Sequence, residues 1–503
     1  MNRREFLKYS ALLGLSTVSP FLFTGCDTSR YEKPLPLTTP DEKLLLANAS
    51  ILNVHTGTFF QETKLLIQNG KIAGIFHEND NSITPDYTLD LKGAYILPGL
   101  INAHCHMTGP GGFPWPGGGS LLSYLGRQSE RNAEECIKHG VTTVRDMLDL
   151  LALREPLEKN IAQKKVVGPR IINSFALEVD CGYLNGSLVF AGLSPTGVGN
   201  PNTVRVVNSP EEAIKAVKMA VDRGADFIKI AHQEKTLAKP LPNPREMSFD
   251  IAKAICDEAN RQGLIVAIHH TDTNGLHKGL AAGVTTLEHM SCDRALTEYE
   301  IEEIINRQLY TIPTASVGYA IDWETNDDSG WDEGLRAECK KLRAELMPVL
   351  LPEYLERELV APTLYTYKKY TNPDYFDSLE YLIGVNVDAT DTILTHGLDN
   401  YIRLYEAGAK LGCGNDGGIP FISPGGLGLE LYLGEVIGIN QKDLIKMATI
   451  NNAEIIGMEN EIGSIEDGKI ADLVIFEKNP LETLRHTFNP VYVFQNGELA
   501  FKA

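Results

Sequence analysis

Eight strand-like segments, separated mostly by helix-like segments, constrain the fold of this chain more than any other feature. The eight predicted strands are LINAHCHM (100–107), GVTTVRDM (140–147), PRIINSFALE (169–178), DFIKIA (226–231), LIVAIHH (264–270), TTLEHM (285–290), LYTIPTA (309–315) and KLGCGND (410–416). Eight strands that alternate with helices predict an α/β fold of the (β/α)8 type, a TIM barrel.

An open, doubly wound sheet is the alternative, and it requires a glycine-rich phosphate loop after its first strand. The glycines at 109–119 are interrupted by Pro110, Pro114 and Pro116 and do not match G-x-G-x-x-G. By contrast, Ser209, Pro210 and Glu212 predict a capped helix between the third and fourth strands. The sequence therefore favours the barrel.

The two ends of the body contain short β-type runs with Asn69-Gly70 and Asn496-Gly497 turn signals. Neither end has enough strands to bury a core alone, so 42–98 and 463–503 are predicted to fold together into one small β-sandwich around a barrel at 99–462. The seventh strand is followed by an unusually long acidic, Tyr-rich stretch, 316–408. This predicted insertion is interpreted either as a lid that determines specificity or as a peripheral decoration.

The first 26 residues are typical of an export signal, with Arg3-Arg4, a short apolar run and Gly25-Cys26. The paired arginines resemble a twin-arginine signal and Phe23–Cys26 resembles a lipobox, which implies cleavage and acylation of Cys26. The Pro/Thr/Ser-rich segment 27–41 is then a tether. An uncleaved N-terminal anchor is the alternative. Both interpretations place the body outside the cytoplasm of a bacterium, on the periplasmic or cell-envelope side, and tied to a membrane.

Composition limits the classes of function. The chain has 503 residues, of which 43% are hydrophobic, and a formal net charge of -20. A chain of this kind can bury a sizeable core, and its acidic surface argues against nucleic acid as a partner. We expect a small-molecule substrate, and the oligomeric state stays open, a homo-oligomer included. The eight cysteines form no CxxC pair, so a zinc knuckle is not predicted.

Side chains that can bind metal lie at the C-terminal ends of the predicted strands, where barrel enzymes keep their chemistry. His104 and His106 alternate around Cys105, so both histidines face the barrel mouth. The other candidates at strand ends are Lys229, His269, His289 and Asp416. One histidine on an apolar strand is usually a core residue, but this many candidates at corresponding positions predict a metal site.

Lys229 lies on an apolar strand, where desolvation should lower its pKa. A neutral amine can react with carbon dioxide to give a carbamate, an anionic oxygen ligand that can bridge two metals. The alternative is a salt bridge from Lys229 to Asp226 or Asp416. Two further predictions concern the substrate. Arg145 either binds a substrate carboxylate or pairs with Asp146, and His232 either contacts substrate or has no role.

Several motifs resemble those of the amidohydrolase superfamily: Pro98–His106, Gly140–Asp146, Gly224–Lys229, Gly414–Asp416 and Gly463–Leu473, together with the two histidines at 269 and 289. Within it the chain looks most like the imidazolonepropionase-related and Xaa-Pro dipeptidase-like branch. Asn102 stands where the family often has Asp, and Asn415 replaces the commoner Thr. The resemblance implies that His104, His106 and Asp416 hold one metal, His269 and His289 the other, and carboxylated Lys229 bridges them.

The predicted activity is hydrolysis of an amide-type C–N bond, in a dipeptide or an N-acyl amino acid, by attack of a metal-bound hydroxide. Asp416 is the predicted proton shuttle, and two zinc ions per chain are the expected cofactor. The first alternative is a mononuclear cyclic-amide hydrolase or deaminase, similar to imidazolonepropionase, with Lys229 as scaffold. The second is a non-catalytic, lipid-anchored binding protein, which should have lost some of these ligands.

Overall fold

The computed structural model describes residues 42–109, 111, 121–148, 150–184, 204–235, 243–321, 341–342, 344–345, 355, 396–419 and 421–503. The predicted signal at 1–26 with Cys26, the tether at 27–41 and most of the insertion at 316–408 lie outside these residues. In the described part of the chain, no helix is long and apolar enough to cross a membrane. All six cysteines described there have free thiols.

The N-terminal part of the body forms four strands: β1 (Leu44–Asn53), β2 (Thr58–Gln68), β3 (Lys71–His77) and β4 (Tyr87–Pro98). Strand β1 pairs antiparallel with β2 and parallel with β4. The turn between β2 and β3 places Asn69 and Gly70 at φ of 54° and 73°, the left-handed region that an Asn-Gly turn requires. The hairpin predicted at this position is therefore confirmed.

The next nine strands follow in chain order: β5 (Leu100–Cys105), β6 (Val141–Asp146), β7 (Arg170–Glu178), β8 (Val204–Val206), β9 (Phe227–Ala231), β10 (Ile265–His269), β11 (Thr286–Glu288), β12 (Tyr310–Ile312) and β13 (Lys410–Leu411). Eight of them lie side by side in parallel in the order β5-β6-β7-β9-β10-β11-β12-β13, and β8 is an addition paired with β7. Each of the eight predicted segments contains one of these eight strands. Every residue of β5, β6, β9 and β11 is buried, as expected for parallel strands covered on both faces.

Backbone hydrogen bonds join the last strand of this row to the first. Ala103 N–H donates to Cys413 O at 3.0 Å, and Asp416 N–H donates to His104 O at 2.9 Å. His106 N–H donates to Gly417 O at 2.7 Å. The row closes on itself, which is consistent with a TIM barrel and brings the segment after β13 beside the end of β5.

Helices connect and surround the strands: α1 (Leu121–Lys138), α2 (Leu151–Ala162), α3 (Pro210–Asp222), α4 (Phe249–Arg261), α5 (Thr273–Ala282), α6 (Glu298–Asn306), α7 (Ala315–Ile321), α8 (Leu398–Glu406), α9 (Leu427–Val436), α10 (Gln441–Lys446) and α11 (Asn452–Ile455). A π-helical turn (Met447–Asn451) links α10 to α11, and a 3-10 helix (Leu484–Phe488) follows. At the start of α3 the Ser209 side chain accepts from Glu212 N–H, so the predicted cap is confirmed.

The C-terminal strands β14 (Leu473–Phe476), β15 (Tyr492–Gln495) and β16 (Glu498–Lys502) join β1–β4 in one seven-stranded sheet, in the order β16-β15-β14-β4-β1-β2-β3. The prediction that both chain ends fold together is therefore confirmed, but the described strands form one continuous sheet instead of two. Ile72 N–H donates to Lys469 O at 2.9 Å. The sheet is therefore curved, and β3 at its edge contacts the segment before β14. Its two halves bury one apolar cluster that includes Leu46, Ile96 and Phe494.

Candidate metal centre

The structure brings five of the six predicted ligands to one end of the barrel. His104 is the penultimate residue of β5 and His269 is the last residue of β10. The other three residues, His106, His289 and Asp416, follow strand ends within five residues. The Oδ1 atom of Asp416 lies 3.2 Å from His104 Nε2 and 3.0 Å from His106 Nε2. The ring of His289 lies 4.7 Å from that of His104 and 4.6 Å from that of His269, between centroids. One ligand atom from each of His104, His289 and Asp416 falls within 4.8 Å of the other two.

Each of the four histidines has one ring nitrogen at hydrogen-bond distance from an oxygen outside the centre. The pairs are His104 Nδ1 with Glu288 Oε2 (2.8 Å), His106 Nδ1 with Leu148 O (3.1 Å), His269 Nε2 with Gln233 Oε1 (2.9 Å) and His289 Nδ1 with Thr314 Oγ1 (2.7 Å). Such a contact fixes the orientation of a metal-binding imidazole and leaves its other nitrogen for the ion. Sequence reasoning did not identify these partners.

Three residues of the centre have left-handed backbone conformations. The φ angle is 68° at His289, 53° at Thr314 and 54° at Asp416. For residues other than glycine this conformation costs free energy, and it persists where the surrounding fold over-determines it, often at functional sites. His289 and Thr314 also bond to each other, so two strained segments hold one ligand in place.

The electrostatic environment favours neutral imidazoles and an ionised carboxylate. Burial lowers the pKa of His269 and His289 well below the usual range, and the positive charge of neighbouring groups lowers it further. Burial would raise the pKa of Asp416, but His104 and His106 act in the opposite direction and hold it well below its usual range. Two neutral imidazoles and a carboxylate are the protonation states that a divalent metal requires.

Lys229 lies on β9 with only 2% of its surface exposed. It pairs in register with Ala267, two residues before His269, so both side chains face the same side of the sheet. Burial lowers the pKa of Lys229 to about 8, and its Nζ makes no hydrogen bond to any described residue. The predicted alternative, a salt bridge to Asp226 or Asp416, is absent among the described contacts. An unpaired buried amine fits an additional ligand group better than a scaffold role.

Arg145 lies near the end of β6, as predicted, and its side chain contacts other parts of the barrel. Its guanidinium is completely buried inside the barrel, with Nη1 3.0 Å from Glu288 Oε1 and Nη2 2.9 Å from Thr286 Oγ1. It also stacks over the ring of Phe227, 4.4 Å from the centroid. Arg145 thus holds Glu288, and Glu288 holds the metal-ligand candidate His104. The ion pair is with Glu288, where Asp146 was the predicted alternative, and the contact with a substrate carboxylate stays a prediction. Glu288 was missed because it precedes His289 and resembles a solvent-facing strand-end residue.

His232 is not among the described residues that line the cavity beside the centre. Its N–H donates to His269 O at 2.8 Å, and its ring packs against the first turn of α5 near Gly275. The substrate contact of His232 stays a prediction.

A cavity opens next to His269, His289 and Asp416. Tyr183 forms one wall and stacks on the His269 ring, with centroids 4.2 Å apart and planes inclined by 17°. The rest of the described lining is mainly apolar and includes Met290, Cys292, Pro313, Ala315, Val317 and Leu398. No lysine or arginine belongs to that described lining.

Two buried glutamates form hydrogen bonds to backbone segments that line this cavity. Glu178 accepts hydrogen bonds from Val179 N–H at 2.8 Å and Leu184 N–H at 3.4 Å, beside Tyr183, and burial raises its pKa to about 8. Glu430 accepts from Ala315 N–H and Ser316 N–H, both at 2.7 Å, at the start of α7, and burial raises its pKa to about 7. Neither was identified from the sequence.

Comparison with known proteins agrees with this geometry. The sequence profile of the amidohydrolase family matches residues 95–500. The chain belongs to the amidohydrolase family. Among family relatives it is similar to the ochratoxinase of Aspergillus niger, with 24% identity over 515 residues that cover 96% of this chain and 94% of that protein.

Solved structures show the same fold. A Xaa-Pro dipeptidase with bound methionine in its active site aligns with a TM-score of 0.67 and 22% identity, over 92% of this chain and 100% of that one. A putative prolidase from Bifidobacterium longum aligns with a TM-score of 0.66 and 25% identity, over 92% of this chain and 95% of that one. The predicted superfamily is thus confirmed, with Xaa-Pro dipeptidase-like and ochratoxinase neighbours.

Proposed function

We propose that this amidohydrolase hydrolyses an amide-type C–N bond in a small molecule, such as a dipeptide or an N-acyl amino acid. The observation that carries the proposal is the set of four histidines, each oriented through one ring nitrogen, around Asp416 at the barrel mouth. The structural similarity to a Xaa-Pro dipeptidase supports a dipeptide-like substrate.

The donor set fits two divalent cations. His104, His106 and Asp416 would hold one, and His269 and His289 the other. Lys229, whose buried Nζ has no hydrogen-bond partner among the described residues, would bridge them as a carbamate. That carbamate forms when the neutral amine attacks carbon dioxide and loses one proton, a reaction favoured by a lowered pKa. Zinc is the proposed metal because the donors are mostly imidazole nitrogens.

The metals would supply polarisation of the scissile carbonyl and activation of the attacking water. Asp416 provides the proton transfer: its ionised carboxylate accepts a proton from the attacking water and passes it to the departing nitrogen. Glu288 keeps His104 in the orientation that presents Nε2 to the centre. Gln233 holds His269 through Nε2 and leaves Nδ1 for the centre, and Thr314 holds His289 through Nδ1 and leaves Nε2. These contacts orient the imidazoles before the substrate binds.

The cavity would bind an uncharged, apolar group next to the scissile amide. Its described lining offers aliphatic and aromatic surface and contains no lysine or arginine. Both flanks of the insertion reach this cavity: Ala315 and Val317 belong to α7, and Gly397 and Leu398 lie at the start of α8. We therefore propose that the insertion at 316–408 controls substrate range. We also propose that the protein is exported and anchored through lipid on Cys26.

The decisive experiment measures metal content and turnover in parallel. Wild type should bind two ions at the centre and hydrolyse N-acyl amino acids or dipeptides from a screening library. Lys229→Ala should lose central metal and activity, and Asp416→Asn should keep much of the metal while losing turnover. The matched control is Lys253→Ala, which should behave as wild type because Lys253 lies on α4 and pairs with Asp257.

A fully active Lys229→Ala variant with one central ion would instead support the mononuclear alternative, a cyclic-amide hydrolase or deaminase. In that case Lys229 is scaffold. Absence of any turnover in a protein that holds both ions, across amide, cyclic-amide and aminopurine substrates, would contradict the proposed activity.

A further inference from the structure

A second group of metal-binding side chains lies at the adjoining ends of β9 and β10. His232 and Glu234 follow β9, and Asp272 follows β10, where it caps helix α5. One ligand atom of each residue lies within 4.8 Å of the other two. We call these three residues the β9–β10 cluster. None of its members belongs to the central set of histidines, Lys229 and Asp416.

The imidazole of His232 is the feature that points to a ligand. It is 3% exposed, and neither ring nitrogen makes a hydrogen bond to any described residue. The closest carboxylate oxygen, Asp272 Oδ1, lies 3.8 Å from Nε2, which is too far for a hydrogen bond. Burying such a group without a partner costs free energy, on the order of 1–3 kcal/mol.

The two carboxylates have coordination capacity left. Oδ1 of Asp272 accepts from Gly275 N–H at 2.7 Å, and Oε1 of Glu234 accepts from the amide of Asn274 at 2.6 Å. In each case the second oxygen has no hydrogen bond among the described contacts. The ammonium of Lys278 is bound by Glu246, which is not a member of the cluster. The cluster therefore combines two carboxyl groups with one buried, unsatisfied imidazole.

We propose that His232, Glu234 and Asp272 bind a divalent cation, distinct from the metals of the catalytic centre. One imidazole nitrogen and two carboxylate oxygens suit zinc or manganese, with solvent free to complete the coordination. The ion satisfies the buried ring and balances both carboxylates at once. This proposal does not depend on the hydrolytic function, because none of the three residues takes part in the proposed chemistry.

The position of the cluster gives the ion a structural role toward the catalytic centre. His232 N–H donates to His269 O, and the next residue, Gln233, holds the imidazole of His269 through Oε1 at 2.9 Å. An ion bound to both β9 and β10 ties these two strand ends together. It thereby fixes the segment that orients one central ligand.

Zinc stoichiometry tests the proposal directly. Chelated protein is reloaded with Zn2+ and freed of excess, and bound zinc per chain is measured by mass spectrometry. Wild type should hold one ion more than His232→Ala. If loss of the buried His232 ring impairs folding, Glu234→Gln provides the same test, because Glu234 is partly exposed and its change should also remove one zinc ion. His277→Ala is the matched control, since that histidine lies on α5 and contacts Glu300 outside the cluster.

Anomalous scattering at the zinc edge locates the ions. A peak between His232 and Asp272 that disappears in Glu234→Gln, with the central peaks retained, confirms the proposal. Lys229→Ala should remove the central zinc and leave the cluster peak. The experiment therefore tests the proposed cluster ion separately from the proposed catalytic metals. Equal zinc content in wild type and both cluster variants, without a peak at His232, overturns the proposal.

Discussion

Asn102 and Asn415 bond to each other at the seam where the barrel closes, with Asn102 Nδ2 2.7 Å from Asn415 Oδ1. Both side chains are completely buried. These are the two positions at which the chain departs from the motifs that it otherwise resembles, where Asp and Thr are commoner. The contact explains why the departures occur together: the Asn102 amide donates where a carboxylate could only accept, and Asn415 supplies the acceptor.

We expect this pair to be energetically coupled. Asn102→Asp alone places a carboxylate against Asn415 Oδ1 and Pro424 O, which now accept from the Asn102 amide, and should destabilise the protein by about 2–4 kcal/mol. Adding Asn415→Thr supplies a hydroxyl donor and should recover part of that loss. Urea unfolding of the four proteins in the double-mutant cycle measures the coupling, expected at about 0.5–3 kcal/mol. Strictly additive effects would show that the two residues act independently.

Glu288 should control how tightly His104 binds metal. Glu288→Gln removes the charge next to His104 Nδ1, and we expect metal affinity at the centre to fall about 10- to 100-fold. The same change leaves the Arg145 guanidinium buried without its counter-charge, which should cost about 3–5 kcal/mol of stability.

A second variant separates these two effects. Adding Arg145→Met to Glu288→Gln removes the unpaired cation, so the free energy of unfolding should recover while metal affinity stays low. Metal titration with a competing chelator and thermal unfolding give the two readouts. If metal affinity recovers together with stability, Glu288 acts only through folding and does not position His104.

Glu178 should make stability depend on pH. Burial raises its pKa from 4.5 to about 8, so between these values the folded protein holds a proton that the unfolded chain has released. Stability should therefore fall as pH rises from about 4.5 to about 8 and then level off. Glu178→Gln cannot titrate and should not show this fall. The difference between the two unfolding curves should change by a few kcal/mol, since one pKa unit corresponds to about 1.4 kcal/mol. A constant difference across that range would contradict the prediction.

Cys26 should carry the lipid anchor. We expect membrane-fraction protein to begin at an acylated Cys26, as read by mass spectrometry of its N-terminal peptide. Cys26→Ala should abolish acylation and processing, with Cys181→Ala, an exposed free thiol, as the control. Recovery of wild-type protein with an intact Met1 would instead support the uncleaved anchor.

The eight strands and the positions of the candidate ligands at their ends were predictable because they depend on local patterns. A buried parallel strand has a short apolar sequence. Successive side chains along it point in opposite directions, and this alternation determines which of them face the barrel mouth. His104, His269 and Asp416 follow from that alternation once a barrel is assumed. The same logic predicts the insertion at 316–408, because a barrel unit has a characteristic length.

The residues that orient these ligands were not predictable, because each contact joins distant parts of the chain. Glu288 lies 184 residues from His104, and Glu430 lies 115 residues from Ala315. The partner of Arg145 was not predictable for a similar reason. The sequence of a strand end does not show whether an arginine side chain faces a cavity or the barrel interior. A β-sandwich was predicted where the structure has one rolled sheet. The number of strands at each chain end does not show whether the two groups of strands are joined by backbone hydrogen bonds.

The sheet built from both chain ends has a consequence for synthesis. Strand β4 pairs with β14, so one edge of the β1–β4 group lacks its partner until residue 473 has left the ribosome. An unpaired edge of this length invites association with other chains. Contacts this far apart along the chain also form slowly. We therefore expect nascent chains that stop before β14 to require chaperone protection, even though the whole barrel sequence has already been translated.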